Sequence, residues 1–314
     1  MPFPDDLLSI DDLSAEQLLQ VLDVADRLKA DRGERLAADS DLAHGALRGR
    51  TVALLFEKPS TRTRVSFQVA VTELGGQPLP LSSAELQLGR GETVADTGAV
   101  LSRYVHAIVV RTFAQQRLEE LADGASIPVV NALTDLEHPC QAVADLQTFR
   151  EAHGDFHGRA LAYVGDGNNV AHSLLLAGAK VGLSVRVGHP EGHAPDAGIV
   201  TRARQLAADT GATIEVTTDP VAAVAGADAV YTDVWASMGQ EAEAAERAAR
   251  FVPYRVTEQL LAHAATDAVF LHCLPAHRGE EVTAEVIDGP ASRVFDQAEN
   301  RLHAQKALLA GLLA

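Results

Sequence analysis

Residues 160–170 read Ala160-Leu161-Ala162-Tyr163-Val164-Gly165-Asp166-Gly167-Asn168-Asn169-Val170: an apolar run, a glycine-bearing turn and a helix opening. Five apolar residues without polar alternation predict a strand buried on both faces, the mark of a parallel sheet. The helix pattern Asn169–Val181 and the strand Ser184–Val187 that follow complete a βαβ unit. Further on come a helix at Ile199–Thr210 and strands at Thr213–Thr217, Ala229–Val234 and Ala268–His272. The first half repeats the alternation, with strands Thr51–Phe56, Val105–Arg111 and Ile127–Asn131 and helices Ser14–Arg32 and Thr61–Leu74. Such alternation predicts an α/β fold with right-handed crossovers. The turn at Gly165 resembles a dinucleotide fingerprint, but Val170 stands where the third glycine belongs, and no Walker pattern occurs.

The chain has 314 residues, which at about 150 per domain is roughly two domains. The clearest boundary lies near residues 150–158, where a helix pattern ends at Phe149–Asp155 before a new strand. The segment Asn300–Leu313 is a helix pattern with no strand after it. Twenty-six basic against 43 acidic residues give a net charge of −17, which argues against nucleic acid and anionic membrane as partners. Any cluster of Arg and His therefore stands out. Two cysteines, Cys140 and Cys273, are too few for a disulfide framework. Met1–Ile10 carries Asp5 and Asp6 and no basic region, and no uncharged apolar stretch approaches 18 residues, so a cytoplasmic protein is expected.

Five segments carry polar groups at strand ends, where open α/β sheets bind ligands. In Phe56-Glu57-Lys58-Pro59-Ser60-Thr61-Arg62-Thr63-Arg64, Ser60 is an N-cap, and the helix start with Thr61, Arg62 and Thr63 suits a phosphate-sized dianion. An ordinary capped helix with solvated arginines fits these residues equally well. In Leu136-Glu137-His138-Pro139-Cys140-Gln141, His138 can donate to a carbonyl oxygen and Gln141 can hold an NH₂ group; a satisfied loop histidine is the plainer alternative. Arg111 ends another strand of the same sheet, or else snorkels to solvent. Asp233-Val234-Trp235-Ala236-Ser237-Met238-Gly239 places a carboxylate at a strand end, suited to an ammonium, ahead of Ser237, suited to a carboxylate. In His272-Cys273-Leu274-Pro275, Cys273 is either a hydrogen-bonding thiol or a small buried hydrophobe, and Leu274–Pro275 is a candidate cis peptide. Finally, Glu299-Asn300-Arg301 opens the terminal helix, with Arg301 a further phosphate or carbonyl contact. His138, His153, His157 and His172 form no ligand set with Cys, and no metal site is expected.

The order and combination of Ser60-Thr61-Arg62-Thr63-Arg64, His138-Pro139-Cys140-Gln141, Asp233 with Ser237-Met238-Gly239, and His272-Cys273-Leu274-Pro275 resemble the ornithine carbamoyltransferase family, from about residue 5 to the C-terminus. The first two segments are shared with aspartate carbamoyltransferases and mark the carbamoyl phosphate site; the last two narrow the acceptor to ornithine. The resemblance implies two doubly wound parallel-sheet domains joined by interdomain helices. Residues 1–150 would bind carbamoyl phosphate and 151–296 ornithine, with a terminal helix at about 297–314 packing back on the first domain. It implies a homotrimer or a multiple of trimers, and no cofactor.

For carbamoyl phosphate the resemblance implies Ser60, Thr61, Arg62, Thr63, Arg111, His138, Gln141, Cys273, Leu274 and Arg301, with Gln87 reaching a neighbouring subunit's site. For ornithine it implies Asn169, Asp233, Ser237 and Met238, with Asn168 an alternative to Asn169. Arg111, His138, Asp233 and Cys273 are the implied catalytic residues, Cys273 or Asp233 taking the amine's proton. A relative that carbamoylates putrescine or an acylated ornithine is the nearest alternative activity.

Overall fold

A computed structural model describes residues 3–35, 45–82, 91–236 and 244–313, the side chains of 33–35 and 244–246 excepted. The chain divides into two compact units: Met1–Gln147 with Glu299–Ala314, and Thr148–Ala298. Each has its own parallel sheet.

The first unit runs α1 (Ala15–Arg35), β1 (Thr51–Phe56), α2 (Thr61–Glu73), β2 (Gln77–Ser82), α3 (Val94–Leu101), β3 (Ala107–Arg111), α4 (Gln115–Gly124), β4 (Val129–Leu133) and α5 (Pro139–His153). Its sheet has the order β2-β1-β3-β4, so the order reverses between β1 and β3. β1, β3 and β4 are the runs read as strands, though β3 and β4 begin at Ala107 and Val129, two residues later than expected. Pro128 has no amide for the ladder, and the Val129 amide is taken by the Asp6 carboxylate at 2.7 Å. β2 is an addition: its Pro78 and Pro80 speak against a strand, yet it lies on the edge, paired with β1 alone. Ala53, Leu55, Ile108, Val110, Leu118, Leu121 and Val129 form a buried cluster between the sheet and its helices.

The second unit runs β5 (Ala160–Val164), α6 (Asn169–Val181), β6 (Ser184–Gly188), α7 (Ala197–Thr210), β7 (Ile214–Thr217), α8 (Pro220–Val224), β8 (Ala229–Thr232), α9 (Ala244–Phe251), α10 (Glu258–Leu261), β9 (Val269–His272), α11 (Ala284–Ile287) and α12 (Val294–Leu312). The five strands have the order β7-β6-β5-β8-β9, all parallel, with the reversal between β5 and β8. All four residues of β8 and of β9 are buried, as their continuous apolar sequence requires.

The divisions at 147/148 and 298/299 fall inside α5 and inside α12, so both helices pass from one unit to the other. α12 also corrects an expectation. It begins at Val294, and Arg301 therefore lies in its interior, not at its opening. The β-branched and aromatic pair Val294-Phe295 disguises the first turn as strand-like sequence.

Candidate active site

In the first unit, Ser60 caps α2, its Oγ accepting the Thr63 amide at 3.2 Å. Thr61 and Arg62 are exposed on the first turn, whereas Thr63 is buried. The loop before His138 is fixed through Glu137. Its carboxylate accepts the Ser9 hydroxyl at 2.5 Å and the Ile10 amide at 3.1 Å, and its own amide donates to the Thr134 hydroxyl at 3.1 Å. His138 then opens the turn into α5, its carbonyl accepting the Gln141 amide at 3.0 Å.

Arg301 reaches this place from α12. Its Nη1 donates to the Gln141 Oε1 at 2.6 Å and its Nη2 to the Thr63 hydroxyl at 3.3 Å. The Gln141 amide nitrogen donates in turn to Asp145 at 2.7 Å. Arg111, His138 and Arg301 are all nearly buried, at 6%, 5% and 4% exposure. Burial first, then the guanidinium charges of Arg301 and Arg111, hold the His138 imidazole well below the usual histidine range. A neutral imidazole with one N–H, flanked by two fixed cations, is a hydrogen-bond donor aimed at a carbonyl or anion rather than a proton store. Cys140 behind it is inert: burial pushes its thiol up to about 12.

In the second unit the polar groups gather at the reversal between β5 and β8. The turn after β5 needs glycine at 167, because a Cβ there would lie 2.2 Å from the Pro195 backbone nitrogen. Asn168 caps α6, its Oδ1 accepting the Val170 and Ala171 amides at 2.9 and 3.2 Å and the Tyr163 hydroxyl at 3.2 Å. With its oxygen so engaged, its nitrogen is turned to the Asp233 Oδ2 at 2.9 Å. Asp233, just past β8 and 7% exposed, accepts the Cys273 thiol on Oδ1 at 3.1 Å and the Val234 amide at 2.8 Å. Burial and the neighbouring Asp233 and Asp166 charges hold the Tyr163 phenol well above its ordinary range, so it stays a neutral donor.

Cys273 follows β9, and Leu274 after it has φ +58 and a cis bond to Pro275, as the sequence led us to expect. The Leu274 amide donates to His272 Nδ1 at 2.9 Å, and His272 Nε2 faces the buried Glu281 Oε1 at 3.2 Å. The imidazole is thereby set as its Nε2–H tautomer. The His272 amide donates to Gln297, whose NH₂ group donates to the Tyr231 hydroxyl. One ligand atom each from Asp233, His272 and Cys273 lies within 4.8 Å of the others, but the hydrogen bonds just given already engage these side chains.

The structure thus brings Thr63, Arg111, His138, Gln141 and Arg301 together in one unit, and Asn168, Asp233 and Cys273 in the other. Asn169 is half-buried as the first residue of α6, beside the cap and not in its place. Gln87, Ser237 and Met238 lie outside the described residues. Sequence reasoning missed Asp145, Tyr163, Glu281 and Gln297. They act on the site residues through side-chain bonds, from four residues apart on α5 (Asp145 to Gln141) to 25 apart (Gln297 to His272), and none of these pairs forms a recognisable motif.

Two family models match the chain. Residues 5–151 match the carbamoyl-P binding domain of aspartate/ornithine carbamoyltransferase, and residues 157–312 its Asp/Orn binding domain. An ornithine carbamoyltransferase of a Parafrankia species is 58% identical over 302 residues, covering 96% of this chain and 94% of that one. One from Anoxybacillus flavithermus is 56% identical, covering 98% and 96%. The solved ornithine carbamoyltransferase of Pyrococcus furiosus superposes with a TM-score of 0.93 at 52% identity, covering 99% of this chain and 97% of that one. These matches, over both sheets and both sets of polar residues, place the chain in the aspartate/ornithine carbamoyltransferase family.

Proposed function

We propose that the protein transfers the carbamoyl group of carbamoyl phosphate to the δ-amine of L-ornithine, giving L-citrulline and phosphate. The observation that carries this is the second unit's Asp233, a nearly buried carboxylate that accepts a thiol and an amide at the sheet's reversal point. Such a group suits a cationic amino acid, and the full-length relatives are ornithine carbamoyltransferases.

In this reading the first unit is the carbamoyl phosphate domain. Ser60, Thr61, Arg62 and Thr63 receive the phosphate at the α2 start, where amides and dipole favour a dianion. Arg111, His138 and Thr63 face the carbonyl oxygen, with Gln141 and Arg301 beside them; preorganised donors of this kind contribute about 3–4 kcal/mol each. The second unit is the ornithine domain. Asn169, Ser237 and Met238 are assigned to the α-groups, and Cys273 with the Leu274 carbonyl to the δ-nitrogen. An alkyl ammonium has a pKa of about 10.4, so the amine must lose a proton before it attacks. Asp233 is the better acceptor, since the Cys273 thiol already donates its own proton to that carboxylate. The amine lone pair then forms the new C–N bond, the C–O bond to phosphate breaks with its electron pair going to phosphate, and the second N–H proton passes from the nitrogen to the departing phosphate. Holding both substrates in line makes the step effectively unimolecular.

The family resemblance also supports a homotrimer or a multiple of trimers in the cytoplasm, with Gln87 reaching a neighbouring subunit's carbamoyl phosphate. Among the described residues no helix is long and apolar enough to cross a membrane. A colorimetric citrulline assay with both substrates saturating tests the activity: citrulline and phosphate in equal amounts are expected, and absent turnover overturns the proposal. A preference for putrescine, in direct competition by kcat/KM, would redirect it to a diamine acceptor.

A further inference from the structure

We infer that Arg247 is a positioning residue of the ornithine site, clamping together the two segments that carry Asn168 and Asp233. The inference rests on the reading of Asp233 as the acceptor-site carboxylate.

Arg247 lies on α9, and a single nitrogen, Nη1, makes both of its described bonds. It donates to the Asp166 Oδ2 at 2.9 Å, in the turn after β5, and to the Trp235 carbonyl at 3.2 Å, on the chain leaving β8. Asp166 stands two residues before Asn168, and Trp235 two residues after Asp233. One guanidinium thus braces both sides of the Asn168–Asp233 hydrogen bond. The other Asp166 oxygen lies 3.2 Å from His193 Nδ1, and the His193 carbonyl accepts the Gly167 amide at 2.9 Å. The side chains of Asp166, His193 and Arg247 are 14%, 13% and 12% exposed, which separates this cluster from an exposed surface pair. Packing closes it: His193 meets the edge of Phe251, also on α9, with centroids 4.8 Å apart, and Phe251 lies against Trp235 at 6.0 Å. None of these residues is used in the transfer step, and no short motif links them.

Geometry also supplies the reporter. Trp235 is the chain's single tryptophan and is 3% exposed, so its fluorescence reads this clamp without background. In Arg247→Ala, kcat/KM for ornithine is expected to fall about tenfold, as small misplacements of a reacting group do, while KM for carbamoyl phosphate holds. Trp235 emission should move to the red as the indole gains water. Arg247→Lys should recover part of both, because one ammonium can make both bonds that Nη1 makes. Should Arg247→Ala fail to fold, Asp166→Asn weakens the clamp from its other side with little change of shape. Wild-type ornithine kcat/KM in the Ala and Asn variants overturns the inference. So does a matching rise in KM for carbamoyl phosphate, or a Lys variant no better than Ala. Asp233→Asn runs alongside: if it leaves ornithine use intact, the site assignment itself is wrong and the clamp falls with it.

Discussion

In the first unit the strand ends gather Arg111 and His138, with Arg301 brought in by a helix some 160 positions away in sequence from its partner Gln141. In the second, equivalent strand ends carry Asp233, with Asn168 and Cys273 bonded to its two oxygens. The sheets share a logic, parallel strands with one reversal of order, while the charges are opposite. One half accumulates cations and keeps its histidine neutral, by burial first and their repulsion second; the other builds around one nearly buried anion supplied with donors. The same backbone geometry therefore serves an anion or a cation according to which side chains end the strands, which is why fold alone does not settle function.

The largest expected effect tests the anionic half. Asp233→Asn preserves shape but removes the charge and the proton acceptor, and should lower kcat/KM for ornithine about 10³-fold, within the span for loss of a general base. KM for carbamoyl phosphate should hold. Arg62→Ala tests the cationic half from the other direction: losing charge-assisted bonds to a phosphate should raise KM for carbamoyl phosphate about 30-fold in steady-state assays. If either variant damaged both substrates alike, the division of labour between the halves would fail.

Acid provides a third, smaller contrast. Burial holds the His303 imidazole down to about 4, with the nearby Lys306 charge adding to this and the Glu299 bond opposing it. The folded chain therefore resists a proton that the unfolded chain takes up near pH 6.5. The protons bound in the unfolded state exceed those in the native state between pH 6.5 and about 4, so stability falls as pH falls, by about 1.4 kcal/mol per pH unit for this one group. His138 adds a loss of the same sign. Urea unfolding at pH 7 and pH 5 should show a smaller loss in His303→Gln than in wild type; equal losses would remove His303 from the account. The mildest test is chemical. A thiol reagent at neutral pH should label Cys273, which is partly exposed, and spare the buried Cys140 in the folded protein, read as one label per chain by mass.

Much of this was legible in the residues themselves. β5 with its turn and α6 could be read directly, because the strand is apolar throughout and Asn168 sits where a cap belongs. The Arg62, His138, Asp233 and Cys273 segments stood out because each polar group closes an apolar run. Less visible were features that depend on partners remote in sequence. Neither the Asn168 amide's aim at Asp233 nor the reach of Arg301 to Gln141 leaves a local pattern. The start of α12 was hidden by Val294 and Phe295, whose burial or exposure is set by packing and not by helix propensity. β2 was hidden by its prolines.

Those prolines have an effect beyond disguise. Gln77, Leu79 and Leu81 alternate with Pro78 and Pro80 along β2, and only the non-proline positions have amides to give to β1. A foreign segment laid against the outer side of the strand would find carbonyls to bond but, at two successive sites, nothing to donate back. That rim is a poor template for another β-chain, and along this edge a crowded or freshly synthesised population is spared one common route to fibrous association.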